Sequence, residues 1–405
     1  MSLISNLNDS EINLRFFIGL IFSISVILSF GYSPFFLYFL SFLGLLFFSP
    51  LLKQQLIRYS FILITIISLL LIIGSRNYYD EMTSDLKLYH SIFYELSNEY
   101  NDFYGFFGDG LEVGWPILYS YVAKWFDLSP IQLALFNTII CLVIIIAWIE
   151  TKIKPLVGKN EFGIFYFLFF IFINLGVLGF LQRQAITVGI LLFALTSKKN
   201  LNFILIVFLA SVFHLSSIIV GLVIYICKNL TINKVWIIKL LIISFLFRFV
   251  FISVLLFFLN LLGGFEFITH KLNFFVNTEL RVSTLRYVIL SLSLFFILIL
   301  TNKVDENLKV IYNFALISCI FIVMFVGIPL FADRIFMVSM VVYGLFYYLF
   351  FYRKYPILAL VFAVLYFIIV SLEKFNVIGE LSVGDFYWAR YNYIGEKIFY
   401  YLDKI

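Results

Sequence analysis

Residues 201–227 read LNFILIVFLASVFHLSSIIVGLVIYIC, an apolar run with His214 near its middle and no residue that is fully charged at neutral pH. At about 1.5 Å per helical residue, this run is long for one membrane crossing and too short for two complete crossings. The sequence therefore allows either one tilted helix or a re-entrant hairpin whose tip lies near His214. The choice depends on the charged residues that flank the run.

Six short basic clusters separate the apolar runs of the chain, and basic residues of membrane proteins gather on the cytoplasmic side. All six clusters can face the cytoplasm only if residues 201–227 enter and leave the membrane on the same side. This condition favours the hairpin, and we predict it. The clusters are Lys53 with Arg58, Lys152 with Lys154 and Lys159, Lys198 with Lys199, Lys228 with Lys234, Lys303 with Lys309, and Arg353 with Lys354.

The composition excludes an ordinary soluble protein. Hydrophobic residues make up 63% of the chain and charged residues only 13%, whereas soluble domains carry about 25% charged residues. The net charge of +5 is divided among the short clusters, so nucleic acid is not an expected partner. The three cysteines show no CxxC spacing, and we expect neither a disulfide framework nor a metal site.

We predict an all-α polytopic integral membrane protein, a single domain over residues 1–405 with about eleven transmembrane helices plus the re-entrant hairpin. A spanning helix needs about 20 apolar residues, and a shorter one suffices where protein surrounds it. The runs that meet this condition are Leu14–Phe30, Pro34–Phe48, Tyr59–Gly74, Ile131–Ile149, Phe162–Phe180, Ala185–Thr196, Val235–Leu262, Arg286–Leu300, Val310–Ile328, Ile335–Phe351 and Pro356–Leu372.

Placing the basic clusters in the cytoplasm assigns the remaining polar segments to the outward, periplasmic side. The first outward loop is acidic and rich in tyrosine and glycine, and it is too aromatic for a disordered linker. The predicted outward segments are the loops 75–130 and 263–285, the short segments 181–184 and 329–334, and the tail 373–405.

Ionisable groups inside apolar spans are costly, so each one is a candidate functional residue. Arg183 and Gln184 lie at the outer end of a short predicted helix, and the hairpin would bring His214 beneath them. Arg183 could instead extend to lipid headgroups, and His214 could be a core histidine bonded to Ser216 or to a carbonyl. Both alternatives stay open at this level.

Other outward arginines could join Arg183 around a phosphate group. Forked guanidinium donors match phosphate oxygens, and several of them converging on one cavity would hold a diphosphate. An ion pair with Asp333 or anchoring at the membrane interface is the alternative for these arginines. They are Arg281, Arg286, Arg334 and Arg390.

Carboxylates of the first outward loop are candidates for a general base, because a carboxylate in a partly dry pocket can take a proton from a sugar hydroxyl. Asp80 and Glu112 are the two candidates beside His214. Most acidic residues of such a loop are solvated surface residues, so the sequence leaves the choice of base open.

The order of these features resembles the EpsG-like group of polysaccharide polymerases, which includes many Wzy O-antigen polymerases. The resemblance extends roughly from Tyr79 to Tyr393. It rests on an acidic, tyrosine-containing outward loop, then Glu112-Val-Gly114, Arg183-Gln184-Ala, Phe213-His214-Leu-Ser, and Arg334 opening a late span.

The resemblance implies a GT-C-like, lipid-dependent, inverting glycosyltransferase that needs no nucleotide sugar, cofactor or metal. Its implied donor and acceptor are oligosaccharide repeat units linked to undecaprenyl diphosphate, at the periplasmic face of the bacterial inner membrane. The growing glycan of an O-antigen, capsule or exopolysaccharide is transferred to the non-reducing end of the incoming unit. Membrane lipid is an expected partner, and a chain-length regulator protein is a candidate one.

Residue chemistry and the resemblance together suggest roles for the candidate residues. Cations stabilise the growing charge of a diphosphate leaving group, and we expect His214, Glu112 or Asp80 to act as the base, with His214 favoured. The expected diphosphate-binding residues are Arg183, Gln184, Arg334 and Arg281.

Three other functions remain as alternatives. A lipid-linked oligosaccharide flippase or transporter would also have many spans, but paired halves or charge-lined helices are expected of it. An O-antigen ligase would use the same donor, but its large outward loop falls late in the chain, whereas here it is early. A structural partner in a polysaccharide assembly complex would tolerate Arg183→Ala and His214→Ala.

Overall fold

The computed structural model describes residues 34–49, 51–74, 85–97, 107, 110–173, 178–179, 182–231, 234–261, 282–301, 304–325 and 329–374. These residues form helices and the turns between them, and no strand occurs among them, which confirms the predicted all-α class. The predicted span Leu14–Phe30, Asp80, Arg281 and the end of the chain from residue 375 lie outside the described residues.

The described helices follow most of the predicted apolar runs, with shifts at their ends. Helix α5 continues as a π-helix through Ile149–Ile153, and α13 continues as a π-helix through Tyr347–Tyr352. In chain order the helices are α1 (Pro34–Phe47), α2 (Gln55–Gly74), α3 (Asp85–Ser97), α4 (Gly114–Ala123), α5 (Pro130–Trp148), α6 (Phe162–Phe172), α7 (Gln182–Thr196), α8 (Asn200–Phe213), α9 (Ser217–Asn229), α10 (Lys234–Leu261), α11 (Val282–Leu300), α12 (Lys309–Phe325), α13 (Pro329–Phe346) and α14 (Pro356–Lys374).

Three stretches of the described part are long and apolar enough to cross a membrane, namely Gln55–Gly74, Pro130–Leu156 and Glu306–Phe325. Shorter apolar helices accompany them. Such a set is typical of a membrane-embedded protein, because helices satisfy their own backbone hydrogen bonds in lipid. The count of about eleven spans stays a prediction.

The boundaries of two helices show how local sequence acts. Helix α5 begins with a capping box. The Ser129 hydroxyl accepts a hydrogen bond from the Gln132 backbone N–H, and the Gln132 side-chain oxygen accepts one from the Ser129 backbone N–H. Helix α6 ends at Phe172, because Ile173 has an extended backbone. The predicted continuous span from Phe162 to Phe180 is therefore wrong, because the helix is interrupted at Ile173.

Residues 200–229 form the predicted helical hairpin. Helix α8 ends at Phe213, His214 is extended with φ −159° and ψ 120°, and α9 begins at Ser217. The two helices run antiparallel, because a Cβ added to Gly221 would lie 2.6 Å from Val207 and the rings of Phe203 and Tyr225 are 6.1 Å apart. The alternative of one tilted helix is thereby excluded.

The basic turns lie at one end of the helix bundle. Hydrogen bonds join neighbouring turns there, and they include both ends of the hairpin. Thr196, just before Lys198, accepts from Trp148, just before the Lys152 turn. The other bonds run from Lys354 to the Leu300 carbonyl at 3.2 Å, from Arg353 to the Leu156 carbonyl, and from Asn313 to the Cys227 and Leu230 carbonyls at 2.8 and 3.0 Å.

A buried ion pair stabilises this end. Arg58, only 1% exposed, donates from Nε and Nη2 to the two carboxylate oxygens of Glu150 at 3.0 Å each. Its Nη1 donates to the Leu52 carbonyl, and Tyr166 donates to Glu150. The charges are paired and hydrogen-bonded, as burial requires, so this cluster fastens α2 to the end of α5.

Candidate functional site

The candidate site lies at the opposite end of α7, where the residues just before α4 meet the tip of the hairpin. Glu112 is at its centre and only 4% exposed. Gly110 turns the chain just before it with φ 86°, a conformation that glycine adopts without steric cost. The chain then enters α4 at Gly114, so the Glu112 side chain is held between a tight turn and a helix start.

Three donors converge on the Glu112 carboxylate. His214 Nδ1 lies 2.7 Å from Oε1, and the Leu215 backbone N–H donates to the same oxygen at 3.0 Å. Arg183 Nη1 donates to Oε2 at 3.0 Å. One carboxylate thus joins the segment before α4, the first turn of α7 and the tip of the hairpin.

Aromatic rings hold the Arg183 guanidinium from the other side. Its Cζ lies 4.5 Å from the Phe107 ring centroid and 5.6 Å from that of Tyr89, within the range of cation–π attraction. Arg183 Nε also donates to the Tyr89 hydroxyl at 3.2 Å. The guanidinium is therefore fixed in direction, in contrast to an arginine that extends freely to lipid headgroups.

His214 is fixed by contacts on both ring nitrogens. Nδ1 faces Glu112, and Nε2 lies 3.4 Å from Nε2 of Gln184. The Ser217 hydroxyl donates to the His214 carbonyl and steadies the tip of the hairpin. An ionised carboxylate only accepts hydrogen bonds, so the hydrogen of the neutral ring sits on Nδ1 and the lone pair of Nε2 faces Gln184.

The environment of Glu112 favours its charged form. Burial, the largest single effect, raises the pKa of this carboxyl, and the interaction with His214 lowers it. The Leu215 amide and the charge of Arg183 act in the same direction and hold the Glu112 pKa below its ordinary value. Glu112 is therefore an anion that orients its two cationic or polar neighbours.

A family model covers this site and most of the chain. The model of the EpsG family matches residues 61–392. The chain belongs to the EpsG family. EpsG-family proteins are Wzy-like polymerases, so the chain is a membrane-embedded, glycosyltransferase-like polymerase of polysaccharide type that acts on lipid-linked sugars. No significant match to a curated protein or to a solved structure was found.

The EpsG-family resemblance inferred from the sequence is thus confirmed, and four of its residues meet in the structure. Glu112 contacts Arg183 and His214, and Gln184 contacts His214. Asp80 and Arg281 lie outside the described residues. Arg334 lies in α13, but its side chain is not among those described. No group of three or more potential metal ligands occurs in the described part, and metal independence stays a prediction.

Several residues around this EpsG-family site were not identified from the sequence. Asn137 donates to the Tyr119 hydroxyl at 2.8 Å and to Gln182 Oε1 at 2.7 Å, and Gln182 donates to the Ala134 carbonyl. This buried network ties α4 and α5 to α7 directly beside Arg183. The sequence did contain an indication of this network, because Asn137 lies inside an apolar run and a buried amide is costly unless it is hydrogen-bonded.

The aromatic face of α4 supports the site from outside. Trp115 stacks on Tyr89 with centroids 6.4 Å apart and meets Phe213 edge-on at 5.8 Å. A Cβ at Gly114 would lie only 2.9 Å from the Phe213 ring. The loop that carries Glu112 and the hairpin that carries His214 are therefore packed without a gap at this point.

Proposed function

We propose that this protein is a polysaccharide polymerase that transfers a growing glycan from undecaprenyl diphosphate to the non-reducing end of an incoming lipid-linked repeat unit. The observation that carries the proposal is the buried Glu112 carboxylate, which joins an imidazole and a guanidinium 3 Å or less from its oxygens. A base and a cation side by side are what this displacement needs, since a hydroxyl must lose a proton while a diphosphate gains charge.

His214 is the proposed general base, and Glu112 orients it. The acceptor hydroxyl gives its proton to Nε2 of His214 while its oxygen forms a bond to the anomeric carbon. The bond from that carbon to the diphosphate oxygen breaks, and the electron pair leaves with the undecaprenyl diphosphate. A single displacement of this kind inverts the anomeric centre, and none of its steps uses a cofactor.

Arg183 is the proposed diphosphate ligand of the described site. Removal of one preorganised donor to a developing anion typically lowers the rate by about 100- to 1,000-fold. Arg334 and Arg281 remain proposed partners in this role. The contact between Gln184 and His214 favours a place for Gln184 beside the base rather than among the phosphate ligands.

We further propose that the end of the bundle with the basic turns faces the cytoplasm and that the site faces the periplasm of an inner-membrane protein. The joined basic turns support this orientation, and both ends of the hairpin belong to them. Helix α8 has 14 residues, which is about 21 Å at 1.5 Å per residue. A hairpin of this length carries His214 from the cytoplasmic side to the level of Gln184.

A gel of surface polysaccharide tests the proposal. A deletion strain is complemented with the wild type, Arg183→Ala or His214→Ala at matched protein levels. We expect a ladder from the wild type and, from both variants, core that bears a single repeat unit without a ladder.

Other outcomes would refute the assignment. Bare core without any repeat unit in the deletion strain would indicate a flippase or a ligase. Full ladders from both variants would indicate a structural partner in the assembly complex, because the site residues would then be dispensable.

A further inference from the structure

Gln184 lies next to Arg183 in the first turn of α7, and its side-chain amide lies beside Nε2 of His214. The distance of 3.4 Å between the two Nε2 atoms is long for a hydrogen bond. The Oε1 atom of the same amide is buried and has no hydrogen-bond partner among the residues that the structure describes. A buried, unpaired acceptor beside a proposed base calls for a reason, because such atoms are rare in folded proteins.

The two ends of this amide suit the two protonation states of His214. In the neutral ring the hydrogen is on Nδ1, so Nε2 accepts and the amide nitrogen is the matching group. When Nε2 takes up a proton, the amide nitrogen becomes a second donor facing a donor. Rotation of the amide by a half-turn about the Cγ–Cδ bond of Gln184 would then direct Oε1, the acceptor that lacks a described partner, toward the protonated Nε2.

We propose that Gln184 is a positioning residue whose amide turns with the proton on His214, its nitrogen facing the neutral ring and its oxygen accepting from the imidazolium. The inference rests on the proposed function, in which Nε2 receives the proton of the acceptor hydroxyl. That hydroxyl replaces the weak contact of the amide nitrogen. Once the proton has moved, the amide oxygen stabilises the new N–H.

The other groups near His214 do not supply this acceptor. Glu112 contacts Nδ1, and Arg183 is a cation held by Glu112 and Tyr89. The hairpin has no charged side chain between residues 201 and 227. On α4, the Tyr119 hydroxyl accepts from Asn137. Among the described contacts of Nε2, the Gln184 amide is the one polar group.

The test measures protonation of His214 without turnover. Diethyl pyrocarbonate acylates neutral histidine, and peptide mass spectrometry separates His214 from His90 and His270, the other two histidines of the chain. The purified full-length protein in detergent is treated over a pH series, and the pH of half-maximal acylation of His214 is compared between the wild type and Gln184→Met.

The direction of the change decides the question. If the amide turns, Gln184→Met removes an acceptor from the imidazolium, and the midpoint falls by about one pH unit, the size expected for a hydrogen bond to a charged group. If the amide stays fixed as a donor, its removal raises the midpoint. A rise, or an unchanged midpoint, overturns the proposal.

Two further variants keep the test decisive. Gln184→Asn withdraws the amide by one methylene and should lower the midpoint as well, which serves if Gln184→Met does not accumulate. Gln182→Met removes the neighbouring buried amide, which pairs with Asn137, and should leave the midpoint unchanged. The polysaccharide ladder of Arg183→Ala tests the proposed function separately, so a failure of either idea is seen by itself.

Discussion

Gly114→Ala should uncouple the Glu112 loop from His214 by the addition of one methyl group. Gly114 follows Glu112 by two residues and faces the ring of Phe213, which directly precedes His214. The added Cβ would lie 2.9 Å from Cγ and Cδ1 of that ring, whereas ordinary contact begins at 3.4 Å. The ring must therefore retreat by at least 3.4 − 2.9 = 0.5 Å.

The size of the effect follows from this shift. Trp115 meets Phe213 edge-on, so the ring cannot move aside freely and the end of α8 moves with it. Overpacking of this kind destabilises by about 1–3 kcal/mol. A displacement of 1 Å at reacting groups can lower a rate by about 100-fold, and half of that displacement corresponds to roughly tenfold. We expect a loss of about tenfold in polymerisation.

Gly189→Ala is the matched control, because its Cβ would also lie 2.9 Å from a side chain, that of Ile144, away from the site. The assay is the length distribution of surface polysaccharide in the complemented deletion strain, with thermal unfolding in detergent measured for both variants. Shorter chains from Gly114→Ala alone, at similar stability, are the expected result. Equal ladders from the two variants would refute the coupling between Phe213 and His214.

Three other perturbations test the charges. The Glu112 pKa lies below its ordinary value of 4.5, so its ion pairs stabilise the fold above that pH and are lost as the pH falls through the lowered pKa. Glu112→Gln should therefore flatten the fall of the unfolding temperature below pH 4.5, and an unaltered fall would contradict this. Glu150→Ala should destabilise the protein by about 3–5 kcal/mol, because it leaves Arg58 buried and without its carboxylate partner. The double variant Arg58→Met/Glu150→Leu should recover most of the lost stability, as measured by thermal unfolding. Trp125 is 81% exposed, and the Glu306 side chain is 86% exposed. In intact cells, an impermeant thiol reagent should therefore label Trp125→Cys but not Glu306→Cys. The reverse labelling pattern would invert the proposed orientation.

The hairpin was predictable because charge balance and length are properties of the sequence itself. Six basic clusters on one side leave only a returning path for residues 201–227, and the polar group at His214 marks the place where the helix breaks. The end of α6 was not predictable in this way. Hydropathy alone continues the run to Phe180, although the backbone already leaves the helix at Ile173.

The sequence named the four residues that meet in the candidate site, but it did not give their contacts. Glu112 is 71 residues from Arg183 and 102 from His214 along the chain, and periodicity carries no information over such distances. The sequence therefore left Asp80 and Glu112 as two loop carboxylates of equal standing. Packing selects Glu112 among those described, because the turn at Gly110 and the start of α4 direct it onto the hairpin tip.

The contacts of Glu112 also bear on whether Glu112 or His214 takes the proton of the acceptor hydroxyl. Both of its oxygens are engaged by three donors, so a proton on this carboxyl would cancel the charge that Arg183 and His214 face in a buried site. A proton on Nε2 of His214 breaks none of these bonds. It adds a positive charge to a ring that already faces a carboxylate, and it does so beside the proposed place of the leaving diphosphate. These contacts support the proposal that His214 takes the proton and that Glu112 orients its ring.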